Sequence, residues 1–323
     1  MFRILFGRFL PSCTMLLLLL PTYSPAQDSN IVYPIEEIER RLARDDFEIF
    51  RFNDLRFEGD IGKRVILKYA DVKYIQAKWR RARKGGHEFN NAPRYEIAAY
   101  QIQKLFLDEN EYVVPPTVCR GFLMEQYKNI EKDARPTFNK PDMVLVMLQY
   151  WLDEVTTDDV YDKKRFDNDS LYAKHFANTN ILTYLIRHSD SNKGNLLIST
   201  DKSNPRVFSV DNGVAFRSET SNRGTKWRSI QVKKLPKKTI ERLRGITPEV
   251  LHKALGVVAQ IEIKNGIIKS AKPSENIDAK KGVRHKEGII QLGLTEREIN
   301  MIEKRLRDLL EKVDKGKYEL FQT

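Results

Sequence analysis

The 323-residue sequence predicts an α+β chain in two lobes, an antiparallel sheet carrying one main helix followed by a mainly helical half. Three observations lead there. Hydrophobic residues make up 41% and aromatics 10%, enough for a sizeable core and too much for bulk disorder. Strand-like patterning runs from Phe47 to about Arg81, and after Tyr150-Trp151 the apolar spacing turns helical. The length fits one large domain or two lobes, at roughly 100–200 residues per domain. The lobes are expected over residues 27–148 and 149–323.

The first 26 residues read as a secretory signal peptide, residues 1–26, rather than as part of the fold. Arg3 and Arg8 precede the short apolar run 15–20, and Ser24-Pro25-Ala26 places small residues at −3 and −1 of a cleavage point after Ala26. No stretch of about 20 apolar residues follows, so no transmembrane span is expected in the mature form. The chain carries 56 Lys+Arg against 44 Asp+Glu. Losing Arg3 and Arg8 leaves 54 against 44, a mature charge of +10. That balance favours an anionic partner or a membrane surface, and export makes nucleic acid an unlikely one. Cys119 becomes the only cysteine, so no intramolecular disulfide can form. The expected location is the periplasm, the extracellular space or a secretory lumen.

Along the mature chain, residues 47–52, 64–69 and 74–79 read as three strands, with Gly59 and Gly62 between the first two. The basic run Arg80, Arg81, Arg83, Lys84, Gly85, Gly86 reads as a solvated loop. Asn90, Asn91 and Pro93 then signal the start of a helix over 95–106, whose apolar face is Ile97, Ala98, Ile102, Leu105 and Phe106. Pro115-Pro116 stops it. Residues 118–126 and 143–148 read as further strands, the second apolar enough to be central. In the second half, 171–187 is a helix, followed by a loop and short strands up to Phe216. Helices are expected from about Lys237 onward, the last opened by a capping box of Thr295 and Glu298.

The chemistry concentrates between Arg187 and Phe216. Phosphoryl transfer needs a carboxylate near the acceptor hydroxyl and oxygen ligands that hold a divalent metal against the phosphates. Asp190 and, five positions on, Asn195 supply both ahead of the apolar run 196–198. A hairpin-length return brings Asp211 back to the same edge after a second apolar run, with Gly213 permitting close backbone approach. Asp-x4-Asn alone is common, and Asn212-Gly213 is also an ordinary turn signal. The ordered pair of motifs is what carries the functional reading. His188 reads as a core residue under the loop.

This segment resembles the catalytic and metal-binding loops of atypical kinases with the protein-kinase-like fold. Asp211-Asn212-Gly213 with Ala215-Phe216 is similar to the metal motif of type II phosphatidylinositol 4-kinases, of secretory-pathway (four-jointed-like) kinases and of HipA-like kinases. Residues 188–195 also resemble the aminoglycoside and choline kinase group, which usually has an aromatic where this chain has Asn212. The resemblance implies a bilobal fold, ATP as cofactor with Mg2+ or Mn2+, Asp190 as catalytic residue, and Asn195 and Asp211 as metal ligands. It also implies a strand Lys on the α/β-phosphates paired with a helix Glu.

Lys68 and Lys78 compete for that role, with Glu96 as helix partner. Glu96 lies 18 residues from Lys78 and 28 from Lys68, and the shorter separation is the one kinases show. Residues 143–148 would lead into the hinge, with Gln149, Tyr150, Trp151 and Leu152 facing the adenine. No Gly-x-Gly-x-x-Gly is present; Glu58-Gly59-Asp60-Ile61-Gly62 offers only two glycines. The expected function is therefore an exported ATP-dependent kinase acting on a hydroxyl of a protein Ser/Thr, a glycan or an inositol lipid. The alternative is a nucleotide-binding pseudokinase that serves as a regulatory module.

Overall fold

The computed structural model describes residues 28–55, 62–89, 91–190, 193–216 and 229–322; residues 1–26, expected above to be a signal peptide, and Gly59 and Asn90 lie outside them. The first lobe opens with a helix that the sequence reading did not single out, α1 (Ile35–Ala43). Ile35, Ile38 and Leu42 form its buried stripe at helical spacing. Three antiparallel strands follow: β1 (Phe47–Asp54), β2 (Gly62–Tyr69) and β3 (Tyr74–Arg81). Alternation divides the two faces of β2 and β3. Val65, Leu67, Ile75, Ala77 and Trp79 enter the core, which turns Lys78 and Arg80 to the opposite face.

Helix α2 (Pro93–Gln103) has Pro93 in its first turn, as the Asn-Pro signal predicts, and is buried on nearly every side. It ends before Leu105 and Phe106, which continue in turns. The side chain of Gln103 explains what fixes the exit: its Oε1 accepts from the N–H groups of Val113 and Val114, both at 2.8 Å. Strand β4 (Thr117–Leu123) then passes into the single turn α3 (Met124–Tyr127), and the short β5 (Phe138–Asn139) leads into β6 (Asp142–Tyr150). The sheet order is β1-β2-β3-β6-β4, with β5 beside β6. The run 143–150 is buried throughout, and β6 is an interior strand held between β3 and β4, as its composition predicts.

After β6 come β7 (Val155–Thr156), α4 (Lys163–Asn168) and α5 (Ser170–Leu185). Asp169 caps α5 by accepting from the Tyr172 N–H at 3.0 Å. Strands β8 (Leu196–Ser199) and β9 (Val207–Ser209) pair antiparallel with β7 on the outer side. After β10 (Lys234–Pro236) come α6 (Lys237–Arg244) and α7 (Pro248–Leu255). The expectation of helices from Lys237 onward then needs correction. Residues 259–292 form a four-stranded antiparallel sheet of β11 (Ala259–Lys264), β12 (Ile267–Ala271), β13 (Val283–Lys286) and β14 (Ile289–Leu292).

Two tight turns build that sheet. Asn265-Gly266 and Glu287-Gly288 each place both residues at positive φ, the geometry that closes a two-residue hairpin. The sheet lies against β4: Ser270 Oγ donates to the Cys119 carbonyl at 3.3 Å, and a Cβ on Gly121 would sit 2.7 Å from Ile268. The chain ends with α8 (Glu296–Asp314), opened by the expected capping box, and β15 (Glu319–Phe321), which pairs parallel with β10. Arg94 of α2 reaches the first turn of α8, donating to Glu298 Oε2 at 2.6 Å and Oε1 at 2.8 Å. The C-terminal segment therefore grips the one main helix of the first lobe.

Candidate active site

The site lies where the face of β3 that carries Lys78 and Arg80 meets the ends of β8 and β9. Leu196 pairs with Ser209, and the Val210 N–H donates to the Asn195 carbonyl at 2.9 Å. The hairpin therefore brings Asn195 and Asp211 to one edge, as the spacing of the two motifs predicts. Asn195 Nδ2 donates to the Asp190 carbonyl, which ties Asp190 to that edge and leaves the Asn195 Oδ1 lone pairs on the other side of the amide. His188 is fully buried and its Nδ1 accepts from the Asp190 N–H at 3.3 Å. Burial holds its pKa down at about 4, so it is a neutral packing residue that shapes the loop.

Asp211 sits in the left-handed region at φ 56°, and its carboxylate faces β3. Lys78 Nζ lies 3.2 Å from Asp211 Oδ1, and Arg80 Nη1 lies 3.2 Å from the same oxygen. Burial alone would raise the Asp211 pKa. The charges of Lys78 and Arg80 outweigh it and hold the carboxyl at about 2. Lys68, the competing lysine, lies elsewhere and pairs with Glu48 at 3.9 Å. Of the two, the structure brings Lys78 to the motif.

Glu96 is buried in the first turn of α2, but Lys78 does not bond to it. Its Oε2 accepts from the Asn212 N–H at 2.9 Å, while Oε1 is buried with no hydrogen-bond partner. Burial pushes its pKa up against the pull of Lys78, which belongs to the same charge cluster. The expected Lys78–Glu96 ion pair is thus replaced here by Lys78–Asp211, with Glu96 bracing the backbone of the Asp211 loop. Asn212, the departure from an aromatic, has a local explanation. It is buried, and its Oδ1 accepts from Ser209 Oγ at 3.0 Å.

The first turn of α2 makes three such contacts in succession. Arg94 pairs with Glu298, the Tyr95 ring packs on Phe216 at 5.5 Å, and Glu96 holds Asn212. Beyond β6, the structure places Gln149 in register with both Lys78 and Thr117, with Nε2 donating to Thr117 Oγ1 at 2.9 Å. Tyr150 turns to the other side, where its hydroxyl donates to Asp153 Oδ2 at 3.1 Å. Trp151 carries the Arg64 guanidinium over its ring at 4.7 Å. Of these three residues, Trp151 alone is partly open.

The residue that sequence reasoning missed is Arg80. Read as the start of a solvated loop, it is instead the penultimate residue of β3, 8% exposed and bonded to Asp211. Arg81 next to it pairs with Glu131 at 3.0 Å. The available signal was alternation: Lys78 and Arg80 are two apart on a strand and so share a face.

The donor set suits a hard cation shared with phosphates. Asp211 and Asn195 offer oxygen ligands, and among the described residues no group of three or more His, Cys, Asp or Glu could hold a metal unaided. The unpartnered Glu96 Oε1 is a further buried acceptor in the cluster.

No protein-family model and no curated protein matches the sequence. Among solved structures, the chain is similar to hydra Fam20 with sugar at a TM-score of 0.56 and 15% identity, over 89% of this chain and 92% of that one. It is also similar to the Golgi casein kinase with Mn/ADP bound, at a TM-score of 0.52 and 17% identity over 88% and 77% of the two chains. These likenesses show the fold: a bilobal, atypical kinase-like fold of mixed α and β structure. Among the described residues no helix is long and apolar enough to cross a membrane.

Proposed function

We propose that this chain is an exported phosphotransferase that moves the γ-phosphoryl group of ATP to a hydroxyl acceptor. The observation that carries this reading is the convergence of Lys78, from the first lobe, on Asp211, at the end of the hairpin that also presents Asn195 and Asp190. Asp211 and Asn195 would hold Mg2+ or Mn2+, which when bound bridges the phosphates and offsets the charge of the transferred group. Lys78 would hold the α/β-phosphates, with Glu96 fixing the Asp211 loop. Asp190 would orient the acceptor hydroxyl and take its proton. Gln149, Tyr150 and Trp151 would border the adenine, Trp151 by its ring and the others through the backbone and the packing behind it.

The similar Golgi kinase holds Mn and ADP, which supports the same pair here. A protein Ser/Thr, a glycan and an inositol lipid all present the required hydroxyl, and the mature charge of +10 favours an anionic or membrane-associated one. Export would follow cleavage of residues 1–26. The second reading, a nucleotide-binding module without turnover, is favoured by the sequence Glu58-Gly59-Asp60-Ile61-Gly62, which offers only two glycines in place of a Gly-x-Gly-x-x-Gly.

The test is ADP release from ATP with Mn2+ or Mg2+, wild type against Asp190→Asn. Loss of the general base should lower the rate by about 10²–10⁴-fold while ADP still raises the melting temperature. Equal rates in both proteins would remove Asp190 from the chemistry. Stabilisation by ADP without turnover in the wild type would establish the second reading.

A further inference from the structure

Asn30 is fully buried and grips the connection between β6 and β7 by three backbone groups. Its Nδ2 donates to the carbonyls of Asp153 and Glu154, both at 3.0 Å, and its own carbonyl accepts from the Asp153 N–H at 3.1 Å. We propose that Asn30 is a positioning residue of the nucleotide site, fixing the backbone that borders the adenine; this inference rests on the nucleotide-binding reading above. Tyr150 and Trp151 spend their N–H groups on the carbonyls of Pro116 and Gln76, at 2.8 and 2.9 Å. The next N–H in line to meet a base edge is that of Leu152, directly before the peptides that Asn30 holds.

The backbone there needs holding. Glu154 sits at φ 49°, a left-handed conformation that a residue with a side chain keeps only where its surroundings fix it. Its carbonyl takes Asn30 Nδ2 and also the Thr200 N–H, the latter at 2.8 Å. Asn30 is anchored in turn. Asp28 Oδ1 accepts from the N–H groups of Asn30 and Ile31, at 2.8 and 3.2 Å, and Oδ2 pairs with Arg206. Arg206 is 1% exposed and its Nη2 donates to the Tyr112 carbonyl at 2.6 Å, so the guanidinium is a fixed post. The Val32 N–H adds a bond to the Tyr150 hydroxyl at 3.3 Å. Residues 28–32 thus form a strap on the base end of the site. None of these bonds involves Lys78, Glu96 or Asp211, so the strap can be loosened without touching the phosphate end.

The experiment compares ADP and inorganic pyrophosphate binding by calorimetry, with Mn2+ present, in wild type, Asn30→Ala, Asn30→Asp, Asp28→Asn and Tyr33→Phe. Both Asn30 variants should weaken ADP about tenfold, because the base loses a fixed partner, while pyrophosphate affinity stays within about twofold. Asp28→Asn should shift ADP the same way by a smaller factor, about threefold. Tyr33→Phe, which removes only a hydroxyl bond to the Tyr74 carbonyl, should match wild type. If Asn30→Ala does not fold, Asn30→Asp and Asp28→Asn carry the comparison. Unchanged ADP affinity, or a parallel loss of ADP and pyrophosphate, overturns the positioning role of Asn30. Failure of the wild type to bind ADP overturns the nucleotide reading itself and the inference with it.

Discussion

If the proposed function holds, Asp211→Asn is expected to reduce ATP turnover on the order of a thousandfold or more, because it would remove the charged group proposed to hold the metal and several kcal/mol of transition-state stabilisation. The substitution keeps the size of the side chain, so Lys78 and Arg80 lose their shared carboxylate without a cavity forming. Steady-state rates measured with and without Mn2+ check the result: wild type should respond strongly to metal and Asp211→Asn hardly at all. The pH profile offers a second check. With the Asp211 carboxyl held at about 2 in the folded protein, it is ionised throughout pH 4–8 and contributes no acidic limb in that range. Wild-type-like turnover in the variant would show that the carboxylate does not serve a metal.

The largest stability effect is expected from Arg94→Met. Arg94 and Glu298 have side-chain exposures of 7% and 15% and form a two-pronged ion pair, to which Tyr95 adds its hydroxyl. Removing the Arg takes the counter-charge from a half-buried carboxylate that keeps only the Tyr95 hydroxyl and the Thr295 N–H, at a cost of up to about 3–5 kcal/mol. Burial would raise the Glu298 pKa, but Arg94 outweighs it and holds the carboxyl at about 2. Because the folded pKa is depressed, this stabilisation is complete above the usual glutamate value near 4.5 and disappears as pH falls toward 2. Denaturant titrations across pH 2–6 should show wild type losing stability over that window and Arg94→Met changing much less. Parallel pH curves for the two proteins would contradict the assignment. Since Arg94 begins the same turn as Glu96, the variant should also loosen the brace on Asn212 and lower turnover.

The sheet of the first lobe was legible because alternation and composition agree there: β2, β3 and β6 bury the residues that their patterns mark. The two motifs were legible because a hairpin between them follows from their spacing. What was missed had weaker local signals or none. Asn265-Gly266, between alternating runs, is a hairpin signal that marks β11 and β12, yet the capped helix at 296–314 drew the whole region toward a helical reading. No local pattern shows that this sheet returns to cover β4, since that contact spans more than a hundred residues. Arg80 was misplaced for a related reason. A run of basic residues looks solvated in sequence, and only the approach of Asp211, 131 positions away, makes its charge a site feature. The Lys78–Glu96 spacing picked two residues that fall in one charge cluster but not their present partners, because Asn212 takes one Glu96 oxygen and Asp211 takes the ammonium.

The most direct test follows the label through turnover by the wild-type protein with Mn2+, using ATP labelled in either the α- or the γ-phosphate. The account predicts that γ-label leaves ATP, as phosphorylated acceptor or inorganic phosphate, that α-label stays in ADP, and that both reactions stop with a chelator. Release of the α-label into acceptor with loss of pyrophosphate would instead make the site a nucleotidyl transferase. Retention of both labels in ATP, across acceptors carrying protein, glycan and inositol hydroxyls, would contradict phosphoryl transfer by this chain.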